Sequence, residues 1–224
     1  NASHEMRTPL TAIKGYAETL REGADAEASK KYVEIIERNT DRLIHIVNDL
    51  LLLSSLEEKA VLELEEIDLK GFVEKVTKIF DQRLKDKQLS LVIDVKENLP
   101  PIRCDLFKLE QMLVNLLDNA VKYTDRGEIT LSAAVQDKRV RIGVRDTGIG
   151  IPKEDLPRIF ERFYVVDKSR SRKSGGTGLG LSIVKHIVLL HHGTIDIEST
   201  LGKGTSVTVM FPTDLSASWP DRTL

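Results

Sequence analysis

Residues 106–123 read LFKLEQMLVNLLDNAVKY, and this stretch decides how the second half of the chain folds. Leu113, Leu116 and Leu117 recur at helical spacing and form an apolar side. Asp105 stands just before the stretch, where a carboxylate can cap the first free amides of a helix. The pattern therefore predicts an amphipathic helix over residues 106–123 that packs on an apolar layer.

A polar stripe runs along another side of this helix. Gln111, Asn115, Asn119 and Lys122 follow one another at intervals of four, four and three residues, so they share one face. Asparagines that face the interior are unfavourable unless each has a hydrogen-bonding partner. Triphosphate oxygens and a hydrated Mg²⁺ would supply such partners, and Lys122 would add a positive charge. A stripe that simply faces water is the alternative.

Segments that alternate like β-strands surround the helix. Residues 136–138 (Gln-Asp-Lys) separate two such runs and indicate a hairpin. The predicted strands are residues 89–95, 102–104, 128–135, 139–146, 194–199 and 205–211, and the other predicted helices are residues 69–84 and 179–191. This mixture, with mostly antiparallel neighbours, predicts an α/β two-layer sandwich.

The amino-terminal quarter has a purely helical pattern. Apolar residues recur at alternating intervals of four and three in two runs, which begin at Met6 and Tyr32. Such seams predict an antiparallel helical hairpin over residues 1–56, with a turn at residues 21–30 and a hinge at residues 54–59. Two helices alone bury too little apolar surface to be stable. Pairing two hairpins into a dimeric four-helix bundle would cover both apolar seams. A hairpin docked on its own second domain is the alternative.

One histidine near the amino terminus has neighbours suited to chemistry. Residues 3–10 read Ser-His-Glu-Met-Arg-Thr-Pro-Leu, and His4 lies on a stripe displaced from the apolar seam, so it should face solvent. Glu5 can accept a proton from one imidazole nitrogen, which leaves the other nitrogen a better nucleophile towards phosphorus. Pro9 lacks an amide donor and crowds the carbonyl of Glu5, so the helix should bend there.

Two glycine-rich segments have the chemistry of a nucleotide site. In residues 146–150, Asp-Thr-Gly-Ile-Gly follows a predicted strand, and the carboxylate of Asp146 can accept the amino group of adenine. In residues 175–181, Gly-Gly-Thr-Gly-Leu-Gly-Leu opens a helix whose free amides form an anion site. A dinucleotide fold would need a strand immediately before that segment, and none is predicted. Residues 202–204 (Gly-Lys-Gly) fit either a further glycine box or a hairpin turn.

Taken in order, these segments resemble the transmitter of sensor histidine kinases over about residues 1–213. The H box matches residues 3–10, the N box 115–123, the G1 box 146–150, the F box 160–164 and the G2 box 175–181. The resemblance implies an α+β protein of two domains. These are a dimerisation and phosphotransfer hairpin (1–58), a linker (59–66), an ATP-binding domain of the GHKL ATPase type (67–213) and a tail (214–224).

The resemblance also implies an activity, that of an ATP-dependent protein-histidine kinase in a two-component system. His4 would take the γ-phosphoryl group of ATP, Glu5 would accept the proton, and the group would pass to an aspartate of a response regulator receiver domain. Thr8 would serve a phosphatase reaction on that partner, and Asn115 would bind Mg²⁺. The implied ATP-binding residues are Asn115, Asn119, Lys122, Tyr123, Asp146, Gly148, Gly150, Gly176, Thr177, Gly178, Leu179 and Gly180.

The segment between the G1 and G2 boxes departs from the family at one position. Residues 167–174 are polar and cationic, as a mobile lid over phosphates would be. Many relatives carry arginine directly after the Phe-Tyr pair, whereas this chain has Val165. The role of that arginine would then fall to another cation. The candidates are Arg162, Lys168, Arg170 and Arg172, and the sequence does not choose among them.

Composition argues against several other classes of protein. Lys and Arg total 33 against 35 Asp and Glu, and a net charge of −2 gives no case for nucleic acid or an acidic membrane surface. The single cysteine, Cys104, excludes an intramolecular disulfide framework. No apolar run of about 18 residues exists, so no membrane contact is expected. By resemblance, the chain is expected to be a cytoplasmic segment, truncated just before His4, of an inner-membrane sensor protein.

Two alternative functions have distinct signatures. ATP-driven conformational machines of the same superfamily place a glutamate one turn before the Mg²⁺ asparagine, where this chain has Gln111. A non-catalytic scaffold would be favoured by loss of Asn115, Asp146 or the G2 glycines, and all are present. The neighbouring His191 and His192 lack accompanying metal ligands and are predicted to cap a helix end.

Overall fold

The computed structural model describes residues 2–57, 61–96, 99–167 and 176–215. The two apolar seams form helices α1 (Ala2–Glu22) and α2 (Ala26–Glu57). Only residues 23–25 separate them: Gly23 takes a φ of 105°, and the Asp25 carboxylate accepts the amide of Ala28 at 2.8 Å. The turn predicted over residues 21–30 was therefore too long, because most of those residues are compatible with helix and only glycine interrupts it.

Helix α2 also continues through residues 54–57, where the sequence predicted a hinge. The Ser55 hydroxyl donates to the carbonyl of Leu52 at 2.7 Å, and Leu56 is only 4% exposed. The serines interrupt the apolar seam but not the helix, since Leu56 is buried in the second part of the molecule. Residues 58 and 59 of the predicted hinge lie outside the described residues.

The second part combines helices with two sheets. Its helices are α3 (Leu69–Lys78), α4 (Asp81–Lys87), α5 (Leu106–Tyr123) and α6 (Gly180–Leu190). Its strands are β1 (Leu64–Ile67), β2 (Leu89–Val95), β3 (Ile102–Asp105), β4 (Gly127–Gln136), β5 (Arg139–Asp146), β6 (Thr194–Thr200) and β7 (Gly204–Pro212).

The main sheet has five strands in the order β2-β4-β5-β7-β6. β2 pairs parallel with β4, and the other neighbours pair antiparallel. The predicted β4–β5 hairpin is present, with positive φ at Asp137 and Lys138 as a type I′ turn requires. Helices α5 and α6 pack together and on this sheet, so the predicted α/β two-layer sandwich is confirmed.

One prediction about a segment next to the sandwich was wrong, and one strand was not predicted. The helix predicted over residues 69–84 is two helices, because the amides of Ile79 and Phe80 bond to carbonyls three residues back and end α3. Strand β1, part of which lies in the predicted linker 59–66, pairs antiparallel with β3. Strand β1 has only four residues, two of which are glutamates, and this is too short for the alternation of apolar and polar residues that identifies a strand in the sequence.

The first residues of the predicted loose tail are attached to the fold. Arg103 donates its amide to the carbonyl of Thr213 at 2.8 Å and forms a bridge with Asp214, while Leu215 packs against the core. Residues 216–224 lie outside the described part of the chain.

One hydrophobic core unites the sandwich and reaches the end of α2. Leu53 (1% exposed) and Leu56 belong to the same buried cluster as α3, α5 and α6. The hairpin thus docks on its own second part, which is the alternative that the sequence left open. Leu10, Ile44, Val47 and Leu51 of the hairpin are 44–65% exposed. Within the described residues, no helix combines the length and apolar character needed to cross a membrane.

Candidate active site

A cavity of about 700 Å³ lies between α5, the start of α6 and the middle of α2. It brings the polar stripe of α5 and both glycine segments around one space. The residues of the implied nucleotide site that line it are Asn115, Asn119, Lys122, Tyr123, Asp146, Gly150, Gly176, Thr177, Gly178 and Gly180. Gly148 lies in the loop beside Asp146, and Leu179 is fully buried behind the second glycine segment.

The side-chain amide of Asn115 uses its nitrogen in a hydrogen bond within the helix and has its oxygen available for a ligand. Its Nδ2 donates to the carbonyl of Gln111 at 2.9 Å. A Cβ added to Gly180 would lie 2.9 Å from Asn115 Oδ1, so glycine at the start of α6 leaves this oxygen its space. An amide oxygen is a hard ligand of the kind that Mg²⁺ binds, and the residues present therefore fit the metal.

Lys122 is a cation in a crowded setting. Burial lowers the pKa of Lys122, Asp118 opposes this shift, and the positive charges of Arg42 and Arg83 add to it. The ammonium group lies 5.3 Å from the centroid of the Tyr123 ring. Phosphate oxygens would stabilise the charged form of such a lysine.

Asp146 ends β5 at the bottom of the cavity wall and is 9% exposed. Its Oδ1 accepts the amides of Gly148 at 2.8 Å and Thr205 at 3.3 Å, which leaves Oδ2 for a further donor. Burial raises the pKa of Asp146, and the two amide hydrogen bonds oppose the rise. The exocyclic amino group of adenine is a donor of the required kind.

The turn at residues 201–203 supports the Asp146 loop. It joins β6 to β7, with Thr200 opposite Gly204, so it is a hairpin turn. The amide of Gly202 also donates to the carbonyl of Ile149 at 2.7 Å. The turn therefore braces the first glycine segment, although Lys203 is not among the described residues that line the cavity.

Thr177 connects the second glycine segment to α2. Its hydroxyl accepts the amide of Leu179 at 3.2 Å and donates to Asp49 Oδ2 at 2.8 Å. Burial raises the pKa of Asp49, while the hydrogen bond from Thr177 lowers it. Gly178 takes a φ of 74°, and its carbonyl accepts the amide of Phe163 at 2.9 Å. Gly175 lies outside the described residues.

Sequence analysis missed the wall that α2 contributes to the cavity. The wall consists of Arg38, Asp41, Arg42, His45 and Asp49. These residues recur at helical intervals along α2, so their common face is visible in the sequence as a second polar stripe. The predicted pairing of two hairpins gave α2 no place in the nucleotide site, so the sequence alone assigned this stripe no role.

The segment around His4 lies outside the cavity but is linked to it. His4 is exposed, as its position off the seam predicted, and does not belong to the described cavity lining. The Thr8 hydroxyl donates to the carbonyl of His4 at 3.3 Å. Glu5 pairs with Arg42 rather than with His4, with 3.1 Å between Oε2 and Nη2. Helix α1 continues through Pro9, which is buried.

Of the four candidate lid cations, the structure describes only Arg162. Its guanidinium pairs with Glu57 at the end of α2, and His186 Nε2 lies 3.6 Å from the same carboxylate. Val165 lines the cavity. Lys168, Arg170 and Arg172 lie outside the described residues.

His191 caps the end of α6, as predicted. Its Nδ1–H donates to the carbonyl of Ile187 at 2.8 Å, and its Nε2 lies 3.4 Å from the amide of Asp105. Burial lowers the pKa of His191, and the bond to Ile187 opposes the shift. In the part of the chain that the structure describes, no group of three or more His, Cys, Asp and Glu residues is arranged to hold a metal.

Two family descriptions match the chain. Residues 1–59 match the His Kinase A (phospho-acceptor) domain, and residues 104–215 match the histidine kinase-, DNA gyrase B- and HSP90-like ATPase. The sensor histidine kinase WalK of Bacillus subtilis (strain 168) is 38% identical over 218 residues, which are 95% of this chain and 36% of WalK. The chain thus spans about a third of the length of this curated relative.

Solved structures agree with these matches. The Acinetobacter baumannii histidine kinase AdeS has a TM-score of 0.74 and 31% identity, over 94% of this chain and 98% of that one. Histidine kinase ThkA, solved in complex with the response regulator protein TrrA, has a TM-score of 0.80 and 27% identity, over 96% of this chain and 61% of that one. With both family descriptions matched on one polypeptide and with these relatives, the chain belongs to the sensor histidine kinases.

Proposed function

We propose that this chain transfers the γ-phosphoryl group of ATP to His4 and then to an aspartate of a response regulator receiver domain. In the first step, the bond from the γ-phosphorus to the β–γ bridging oxygen breaks and a bond to an imidazole nitrogen forms, while ADP leaves. The imidazole proton passes to the Glu5 carboxylate. In the second step, the phosphorus–nitrogen bond breaks and a bond to a carboxylate oxygen of the regulator forms.

One observation carries this proposal. A single cavity gathers the stripe of α5, Asp146 and both glycine segments, and Arg42 of its wall pairs with the residue beside His4. Asp146 would accept the adenine amino group, while Lys122 and the amides at the start of α6 would hold phosphates. Asn115 Oδ1 would bind Mg²⁺, which neutralises phosphate charge when bound. Phosphoryl transfer depends mainly on such positioning and charge.

Transfer to His4 requires a movement, because His4 lies outside the cavity in this arrangement. The ATP-binding part would have to release the end of α2, where Leu53 and Leu56 are buried. The exposed apolar residues of the hairpin, such as Leu10 and Leu51, support the pairing of two chains into a four-helix bundle, and a homodimer is part of the proposal.

A response regulator is the partner that the ThkA–TrrA complex supports. Thr8 is exposed one turn after His4 and would orient a water molecule in a phosphatase reaction on the phosphorylated regulator.

The proposal includes the division of the chain into a phosphotransfer hairpin, a linker, an ATP-binding domain and a tail, at residues 1–58, 59–66, 67–213 and 214–224. It also places the chain in the cytoplasm, as a segment of a longer sensor protein of an inner membrane. The greater length of the sensor histidine kinase WalK, of which the chain matches 36%, supports the longer protein.

Incubation with γ-labelled ATP and Mg²⁺ tests the proposal. We expect label on the protein that is lost in acid, kept in alkali and passed to a purified receiver domain. Free phosphate without labelled protein would instead indicate an ATP-driven machine. If neither product formed, the chain would be a scaffold and the proposal would be wrong.

A further inference from the structure

Arg42 is a buried cation with an incomplete set of partners. Its side chain is 11% exposed, and Nη2 donates to Glu5 Oε2 at 3.1 Å. Its Nε is buried and has no hydrogen-bonding partner among the described residues. An unsatisfied donor on a buried guanidinium is unfavourable. Because Nε has almost no accessible surface, a ligand in the cavity would meet the guanidinium at its terminal nitrogens.

The surroundings of Arg42 indicate which partner that is. Arg42 lines the same cavity as Asn115, Asn119 and Lys122, and its charge helps to lower the pKa of Lys122. The cavity thus has two cations, Arg42 and Lys122, beside the carboxylates of Asp41, Asp49 and Asp118 that also line it, and a phosphate group could bind between the cations. A guanidinium presents its donors in a planar fork that matches phosphate oxygens.

Two described residues that precede the G2 box offer little help to a phosphate group. Val165 lines the cavity at the position where many relatives carry arginine, and Arg162 is paired with Glu57. A cation from α2 can therefore take up a role that the lid residue at position 165 does not fill.

We propose that Arg42 binds the triphosphate of ATP with its terminal nitrogen Nη1 while Nη2 holds Glu5, so that in the docked arrangement one side chain connects the bound nucleotide to the residue beside His4. This inference rests on the proposed function, because it assigns a phosphate ligand to the same nucleotide site in the docked arrangement, before the end of α2 is released for transfer to His4. It adds a ligand from the hairpin to a site that is otherwise built by the ATP-binding part.

Titration calorimetry with ATP and with adenosine tests the inference, using proteins that carry His4→Gln so that no phosphoryl group is transferred. Arg42→Gln is expected to weaken ATP binding by about tenfold to a hundredfold, the effect of losing a charge-assisted hydrogen bond. Adenosine affinity should stay within about twofold, since adenosine lacks the phosphates that Arg42 would bind. Arg21→Gln, which removes an exposed arginine from the end of α1, is the matched control and should bind ATP like its parent.

Glu5→Gln distinguishes phosphate binding by Arg42 from a purely structural role, in which the Glu5–Arg42 ion pair only holds α1 against α2. It removes the ion pair but leaves Arg42 in place, so ATP affinity should be unchanged or higher. Equal losses of ATP affinity in Arg42→Gln and Glu5→Gln would overturn the inference, and so would ATP binding by Arg42→Gln within about twofold of the parent. Neither outcome depends on labelling of His4, whose absence in the parent chain would contradict the proposed function alone.

Discussion

At the scale of the residue, Asp146 is the group that we propose reads the base of the nucleotide. One oxygen, Oδ1, is committed to the amides of Gly148 and Thr205. The carboxylate therefore cannot rotate freely, and Oδ2 is the acceptor that remains for the nucleotide. Burial raises the pKa of Asp146, and the two amide hydrogen bonds, which favour the carboxylate, oppose the rise.

Asp146→Asn is expected to reverse the preference for the base. The amide oxygen must take the position of Oδ1 to accept the two backbone amides, so the amino group takes the position of Oδ2. That group then faces the amino group of adenine, donor against donor, but suits the carbonyl of hypoxanthine. Calorimetry should show at least about tenfold weaker ATP binding and a smaller loss for inosine triphosphate.

Comparing ATP with inosine triphosphate provides an internal control, because the two nucleotides carry the same phosphates and differ only in the base. If Asp146→Asn weakened both nucleotides equally, Asp146 would not be reading the base. Thermal unfolding should show little change, since the asparagine keeps the acceptor that the two buried amides need.

At the scale of the element, His191 connects the end of α6 to the start of α5. The imidazole is buried, donates to Ile187 and accepts from the amide of Asp105, which is the N-cap of α5. The bond from the Asp105 amide requires an unprotonated Nε2, and burial lowers the pKa of His191 below the ordinary value of 6.5. The junction between the two helices is therefore sensitive to pH.

Stability is expected to fall as the pH drops below about 6.5. The unfolded chain then binds a proton at His191 that the folded chain does not, so the equilibrium shifts towards unfolding until the folded pKa is reached. Above pH 6.5 the contribution is fully present. Urea unfolding at pH 7.5 and 5.5 measures this, with His192→Asn, which changes an exposed neighbour, as the control.

The variant His191→Gln separates the contribution of His191 to the pH dependence of stability from the contributions of other titratable groups. The raised pKa values of Asp49 and Asp146 act in the opposite direction, because the folded state binds their protons more tightly as the pH falls. The variant should be less stable at pH 7.5 but lose less on going to pH 5.5. An equal pH dependence in His191→Gln and the parent would contradict this explanation.

Elements with long repeated patterns were predictable from the sequence, and short or interrupted ones were not. The N-cap Asp105 and the stripe from Gln111 to Lys122 defined α5 because eighteen residues show a period clearly. Strand β1 is too short to show one. The serines before Leu56 suggested a hinge, since sequence periodicity cannot reveal that Leu56 is buried by a different part of the molecule.

The same reason explains which part of the candidate site was predictable. Asn115, Asp146 and the glycines lie in local segments whose chemistry is visible. The contact between Glu5 and Arg42 joins residues 37 positions apart on two helices, and only the packing of those helices brings them together. The cations that the sequence makes visible as candidates therefore all lie between the G1 and G2 boxes.

At the scale of the whole molecule, the end of α2 holds the ATP-binding part in the docked arrangement. Leu53 and Leu56 are buried in the common core, and Glu57 contacts Arg162 and His186. The ionic contacts are half exposed, and such pairs contribute at most about 1 kcal/mol. Truncating a buried leucine to alanine costs about 2–5 kcal/mol, so the apolar contact dominates.

Leu56→Ala is expected to loosen the docking and to speed the first labelling of His4. A loss of about 2–5 kcal/mol would shift the docking equilibrium more than tenfold towards the released state, from which His4 can be reached. Initial rates with γ-labelled ATP at saturation measure the effect. Val61→Ala truncates an exposed residue and should leave the rate unchanged. A rate in Leu56→Ala at or below that of the parent, with unchanged ATP affinity, would show that docking does not limit transfer.

The most direct measurement for the whole account locates the phosphoryl group itself. The parent chain, His4→Gln and His192→Asn are incubated with γ-labelled ATP and Mg²⁺, and the acid-labile label on each protein is counted. The account predicts equal label on the parent and on His192→Asn, and less than about one hundredth of it on His4→Gln, because a glutamine amide cannot replace the imidazole as nucleophile. Equal label on His4→Gln and the parent would contradict the central claim.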